Sequence, residues 1–504
     1  MADGPEDKPN QELPTKAFES HNAGRELLRG SAWMVAMRWA VKGIGLVSTV
    51  LFARLLVPAD FGVVAMALLL VGFLEVFTLT GPDLALIRKE NPTRDDYDTA
   101  WTFEVLKGAV LAGLVFLAAP FASDYFQEPR VVPVIQVLGF RALAGGLENI
   151  GIVMYRRDLD FARDFRFQIY KKLLSFGLAV TLVVVLRDYW GLVWGMLAGR
   201  LGGVAISYVM HSYRPRFCLR SLRELWSFSQ WVLAIEIMRY GNQRLDEFIV
   251  GGLVGASRMG SYHIASDMSL TPSTEFVIPM TRGVYPVLAR LKEDPAALAK
   301  NYLRVLDTVA LFCLPFGVGM SVVAHDLVVT VFGWKWLEAV PLMVWLSLFG
   351  SLASILLSLQ PLLLVIGKAK VLTGIRALQL AALAALLPLM ATHGGIEGVA
   401  VGRLYVGLAL VPLSFLILGM VSPVTFGASM GVLFWRLLPT AAMWAAVKAT
   451  HLDGLDLPAA TLAMDSAVGA TVYVLLSLAI WWARGRPEGP ERQIFLILRS
   501  RLRW

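Results

Sequence analysis

The apolar residues of this chain fall into continuous blocks of about 20, each long enough to cross a hydrocarbon core roughly 30 Å thick. Inside such a core the backbone must satisfy its own N–H and C=O groups, which leaves helices and closed barrels as the only spanning structures. Barrel strands alternate apolar and polar residues, and these blocks do not alternate. The chain therefore reads as an all-α integral membrane protein. Of its 504 residues 57% are hydrophobic and 17% charged, against roughly half and a quarter in soluble domains.

Fourteen transmembrane helices are expected, near 31–56, 61–81, 99–120, 131–154, 173–187, 190–211, 226–253, 259–284, 305–324, 338–366, 373–391, 395–420, 433–450 and 461–483. No apolar run near Met1 resembles a cleavable signal peptide, and residues 1–28 are polar enough to expect a disordered segment. Two cysteines, Cys218 and Cys313, cannot build a disulfide framework, and the six histidines are scattered without metal-ligand spacing. No cofactor and no metal site is expected.

Lysine and arginine set the orientation. With the N-terminus inside, the inner segments hold 31 of them and the outer segments 4, the latter being Arg130, Arg187, Arg258 and Lys335. The positive-inside rule then places both termini in the cytoplasm. The net charge of +8 is accounted for by basic inner loops, and nucleic acid is not an expected partner. The longest outer segment is too short for a catalytic domain, so the work of this protein lies within the bilayer.

Two segments repeat. In "GLVWGMLAGRL", Gly191, Gly195, Gly199, Arg200 and Leu201 align with Gly394, Gly398, Gly402, Arg403 and Leu404 of a later ladder. Around the first hairpin, Leu55, Gly62 and Ala67 align with Leu253, Gly260 and Ala265. Both offsets correspond to six spans. An even number keeps the two halves in the same orientation, as in parallel repeats. The expected organisation is a cytoplasmic N-terminus (1–28), an N-lobe of six spans (29–222), a C-lobe of six (223–422), two further helices (423–484) and a basic cytoplasmic tail (485–504). The two lobes are expected to face one another. Glycines four apart share a helix face and let a neighbouring backbone approach closely, so the ladder reads as a packing device.

Charges inside spans are the candidate functional residues. An arginine at mid-membrane costs at least about 2.5 kcal/mol, so it must face a partner or a wet cavity. Arg200 and Arg403 are read both ways, as structural ion pairs and as substrate contacts. Arg38 and Lys42, four apart on one face of span one, have no acid within their own span and suit a phosphate. In span seven Glu236, Arg239, Gln243 and Asp246 form one polar stripe, with Arg244 pointing elsewhere. In span eight Asp267 and Glu275 are candidates for H⁺ or Na⁺ coupling, as is Asp246. His263 reads as an interfacial histidine. Pro272 and Pro279 should bend span eight.

Several stretches resemble one family. They are "LFARLLVPADFGVVAMA" (51–67), "MYRRDLDFARDFRFQ" (154–168), the long run from Asn242 to Asp294, and "FGWKWLEAVPLMVWL" (332–346). Together they resemble the polysaccharide transporter (Wzx-like oligosaccharide flippase) branch of the multidrug/oligosaccharidyl-lipid/polysaccharide exporter superfamily. The likeness extends over roughly residues 25–425. It implies a non-enzymatic flippase of the bacterial inner membrane, with a central cavity between the two lobes. Its cargo would be an undecaprenyl-pyrophosphate-linked oligosaccharide for exopolysaccharide, O-antigen or capsule synthesis, with polysaccharide polymerase and export proteins as partners. Arg38, Lys42, Arg239, Arg244, Arg200 and Arg403 are then the substrate-binding candidates. The competing readings are a cation-coupled exporter of small molecules with the same fold and a membrane polymerase or ligase. A basic cavity argues against the first, and the lack of a large outer loop against the second.

Overall fold

The computed structural model describes residues 23–77, 86–87, 89, 91–158, 160–221, 230–271, 273–451, 458–485 and 489–492. Side chains are described for these residues except 23–36, 38, 230–235, 273–274 and 282. Among the described residues all extended regular structure is helical, and the chain divides into two compact units, Met1–Tyr240 and Gly241–Trp504.

The first unit contains α1 (Ala23–Leu55), α2 (Pro58–Val76), α3 (Arg94–Phe126), α4 (Val131–Gly146), the short α5 (Ile152–Arg157), α6 (Phe161–Leu186) and α7 (Tyr189–Met210). Helix α8 (Gln230–Leu253) carries the boundary between units within its length. The second unit continues with α9 (Ala256–Ser269), a π-helical turn at Ser273–Val277, α10 (Ile278–Arg290), α11 (Pro295–Val322), α12 (Ala324–Val331), α13 (Ala339–Leu357), α14 (Leu359–Val365), α15 (Ala369–Val421), α16 (Phe426–Thr450) and α17 (Pro458–Ala483).

Nine of these helices are long and apolar enough to cross a membrane. Five of the fourteen expected spans are not counted separately there: expected span one is α1, part of whose side chains lie outside the described residues, and the other four differ for local physical reasons. Helix α15 holds two expected spans, divided at Gly395, whose φ of 56° and ψ of −139° break the helix. Helix α4, apolar but only 16 residues long, ends at Gly146. Helix α8 carries too many charges to rank as apolar. Expected span eight is split into α9, the π turn and α10, with Pro279 seated in the first turn of α10. Expected span five begins twelve residues earlier than its apolar core, because Asp160 caps α6 by accepting a hydrogen bond from Arg163 N.

The glycine ladder packs as the spacing predicts. A Cβ at Gly191, Gly195 or Gly199 would lie 2.6, 2.6 or 2.2 Å from Val183 Cα, Ala179 Cα or Ser175 Oγ of α6. The ladder therefore brings α7 directly onto the backbone of α6. In the second unit Gly398 meets the Met390 carbonyl (2.2 Å) and Gly402 the Leu387 side chain (2.9 Å), whereas Gly394 faces open space. The hairpin repeat is matched as well. Helices α1 and α2 are joined through Leu56 and Val57, and α8 and α9 through Val254 and Gly255. Ala67 and Ala265 are both fully buried.

At one end of the first unit an extended strap, residues 211–219, lies across α3. Asp98 Oδ1 accepts from Arg216 N (2.9 Å) and from the Tyr213 hydroxyl (2.7 Å). Cys218 N donates to Thr102 Oγ1 at 2.9 Å. Burial and the Asp98 carboxylate push the Tyr213 phenol well above its usual range, so it stays a donor and holds the strap closed.

Candidate functional site: two sets of intramembrane charges

In the second unit Asp246, Glu247 and Arg403 are buried and matched. Arg403, on the second half of α15, is 2% exposed. Its Nη1 donates to Asp246 Oδ2 at 2.5 Å and its Nη2 to the Asn242 carbonyl at 3.3 Å. The guanidinium carbon lies 4.3 Å from the centroid of the Phe349 ring of α13. Tyr262 on α9 donates to the same Asp246 oxygen at 2.7 Å. The next residue on α8, Glu247, is fully buried. It takes Arg244 one turn earlier and His263 Nδ1 at 2.9 Å. Successive residues on a helix point about 100° apart, since each turn takes 3.6 residues, so Asp246 and Glu247 serve different partners. Asp267 is exposed and lies within electrostatic reach of Arg244 and His263. Glu275 is half-buried in the π turn.

The first unit is arranged differently. Arg200 is one-third exposed, and its Nη1 is 3.4 Å from Glu148 Oε2. The same Glu148 oxygen takes Lys171 Nζ of α6 at 2.6 Å. Arg141 on α4 lies 3.9 Å from Glu75 on α2 and within electrostatic reach of Arg200. Three cations thus share two carboxylates, all five partly accessible. Lys42 of α1 lies close enough to Lys172 of α6 for the two charges to repel. Arg38 is on α1, but its side chain lies outside the described residues. Arg239 is exposed and ion-paired with Glu236, three residues earlier.

The expected polar stripe of α8 is therefore divided. Glu236 and Arg239 belong to one pair, and Asp246 joins Arg403 instead. His263, expected at the interface, is held by Glu247. Sequence reading missed Glu247, Tyr262, Arg141 and Glu148. A signal existed for three of them. Arg141 and Glu148 interrupt an apolar block, and Glu247 stands three residues after Arg244. Nothing in the sequence marked Tyr262 as the partner of Asp246.

Known proteins resemble this chain to different extents. A family model described as polysaccharide biosynthesis protein matches residues 51–341. The lipopolysaccharide biosynthesis protein WzxC of Escherichia coli K12 is 24% identical over 338 residues, covering 65% of this chain and 68% of that protein. The teichuronic acid biosynthesis protein TuaB of Bacillus subtilis 168 is 22% identical over 332 residues, covering 65% and 69%. Among solved structures, the lipid II flippase MurJ in an inward closed conformation superposes with a TM-score of 0.71 at 15% identity, covering 91% of this chain and all of that one. At that identity the match shows a shared fold.

Proposed function

The chain belongs to the polysaccharide biosynthesis protein family, and from that premise we propose that it flips lipid-linked oligosaccharide repeat units across a membrane. It is a multi-pass membrane protein with the fold of a flippase. The 31-to-4 asymmetry of basic residues supports a bacterial inner membrane location with both termini in the cytoplasm. The cargo that fits is an undecaprenyl-pyrophosphate-linked oligosaccharide bound for exopolysaccharide, O-antigen or capsule. The protein acts as a transporter and not as an enzyme, in series with polysaccharide polymerase and export proteins. Alternating access by the two six-span lobes (29–222 and 223–422) would move the head group.

One observation carries the assignment of the binding region: the accessible cations of the first unit. Lys171, Arg200 and Arg141 share two carboxylates and stay partly accessible, so a diphosphate or an acidic sugar can enter their field without first breaking a buried pair. Arg200, Lys42 and Arg239 are assigned to the substrate on this basis, and Arg38 only by its place four residues before Lys42 on the same helix. Arg403 is assigned to holding the second unit together, since removing one partner of a buried pair leaves an uncompensated charge, and Arg244, itself partly accessible, to balancing the fully buried Glu247. Among the ion-coupling candidates Asp246, Asp267 and Glu275, Asp267 is the accessible one and is favoured.

A deletion strain tests the reading. Polymer should disappear, and lipid-linked repeat units should accumulate on the cytoplasmic leaflet. Complementation with the wild-type gene should restore polymer, while Lys42→Ala at equal protein level should restore only a fraction. Normal polymer in the deletion strain, with reduced efflux of a small cation instead, would sink the proposal.

A further inference from the structure

A second group of polar side chains in the Gly241–Trp504 unit has no part in the network around Asp246. Asp326 in the first turn of α12, His451 just beyond α16 and Asp465 on α17 each offer one ligand atom within 4.8 Å of the other two. Asp326 and Asp465 are buried, 6% and 1% exposed. His451 Nδ1 lies 2.7 Å from Asp465 Oδ2. The second oxygen of that carboxylate, Asp465 Oδ1, is buried and without a hydrogen-bond partner. Beside them His325 Nδ1 is 3.0 Å from Asp326 Oδ1.

Two buried carboxylates this close repel, and an unsatisfied buried oxygen adds its desolvation cost. Each carboxylate has an imidazole beside it, but Asp465 Oδ1 stays unsatisfied and neutral imidazoles leave the repulsion in place. A divalent cation removes both costs together. Two carboxylates and a neutral imidazole supply a charge of −2 and a mixed O,N donor set. We infer that Asp326, His451 and Asp465 bind a divalent transition cation of the Zn²⁺ type. Such ions take His nitrogen and carboxylate oxygen at about 2.0–2.2 Å, with four ligands in a tetrahedron. Donor atoms then stand about 3.4 Å apart, so the three side chains need to close by about an ångström through rotamer adjustment. A fourth position is left for water. Ca²⁺ and Mg²⁺ prefer all-oxygen shells, and the imidazole selects against them. The hydrogen bond from His325 orients Asp326 in the way that supporting groups orient metal ligands.

The consequence is mechanical. Helix α12 packs on α17, and α17 on α16. A bound cation clips all three at one end, tying the last two helices to the body of their unit.

The test uses the full-length protein, purified in detergent without a histidine tag, with Zn²⁺ alone as the probe. After equilibration and dialysis, elemental analysis should find one Zn²⁺ per chain, and the melting temperature should rise with Zn²⁺ and fall with a chelator. Asp465→Asn and His451→Ala should each lower bound Zn²⁺ at least tenfold, while His393→Ala, at an exposed histidine elsewhere, should leave it unchanged. Size-exclusion profiles check that each variant is folded. If Asp465→Asn fails to fold, the half-exposed His451 provides the variant that decides. Wild-type protein without Zn²⁺, or folded His451→Ala binding as much as wild type, would overturn the site.

Discussion

Arg200 and Arg403 end the same glycine ladder at matching positions of the two halves, yet their surroundings are opposite. Arg403 is 2% exposed and bonded to Asp246 and a backbone carbonyl. Arg200 is one-third exposed and shares Glu148 with Lys171. The repeat thus reproduces a way of packing helices without reproducing an electrostatic environment. Gly195 and Gly199 hold α7 against α6, and Gly398 and Gly402 hold the two halves of α15 together. Whether the arginine at the end of each ladder is locked or accessible depends on which helix supplies a carboxylate.

The largest expected effect falls on the locked arginine. Arg403→Leu leaves Asp246 buried without its cation and should destabilise the protein by about 3–5 kcal/mol. Thermal unfolding and the monodisperse fraction in detergent read this out. Arg403→Leu combined with Asp246→Leu should recover most of the loss, because replacing a whole buried pair by apolar residues is often neutral. Failure of the double variant to recover would mean that Arg403 does more than balance Asp246.

A smaller effect separates the two ladders themselves. Gly191→Leu, at the position matching Gly394, places its Cβ 2.6 Å from Val183 Cα and should cost about 1–3 kcal/mol by overpacking. Gly394→Leu meets open space and should stay within about 0.5 kcal/mol of wild type. Equal melting temperatures for the two variants would show that the ladders do not differ in this way.

The smallest effect on the fold is also the most informative about function. Arg200→Leu removes a partly exposed pair and should cost about 1 kcal/mol or less, while surface polymer falls several-fold at equal protein level. A stability loss as large as that of Arg403→Leu, or undiminished polymer, would erase the contrast between the arginines.

Much of the scaffold was legible from local pattern. Apolar runs located the helices, and the ladder spacing predicted close packing that Val183, Ala179 and Ser175 supply. Pro279 signalled the break in expected span eight, realised as the π turn between α9 and α10, while Pro272 lies outside the described residues. Helix limits were less legible: α6 starts at a polar cap well before its apolar core. The site was legible as a list of charged positions but not as partnerships. The period of α8 put Arg239 and Asp246 on one stripe, and their partners turned out to be Glu236 and Arg403. His263 carried no mark of its bond to Glu247.

Hydropathy and charge along the chain are properties of single residues and their near neighbours, and they are enough to determine the membrane class and the helical fold. Helix periodicity adds which residues share a face. Neither says which face meets which, and that is what decides the character of a charge in a low-dielectric interior. Asp246 and Arg403 meet only because α8 and α15 pack together, and Asp326, His451 and Asp465 only because α12, α16 and α17 do. The tertiary structure decided which cations are buried with a partner, which stay partly accessible, and where carboxylates and an imidazole far apart in sequence come close together.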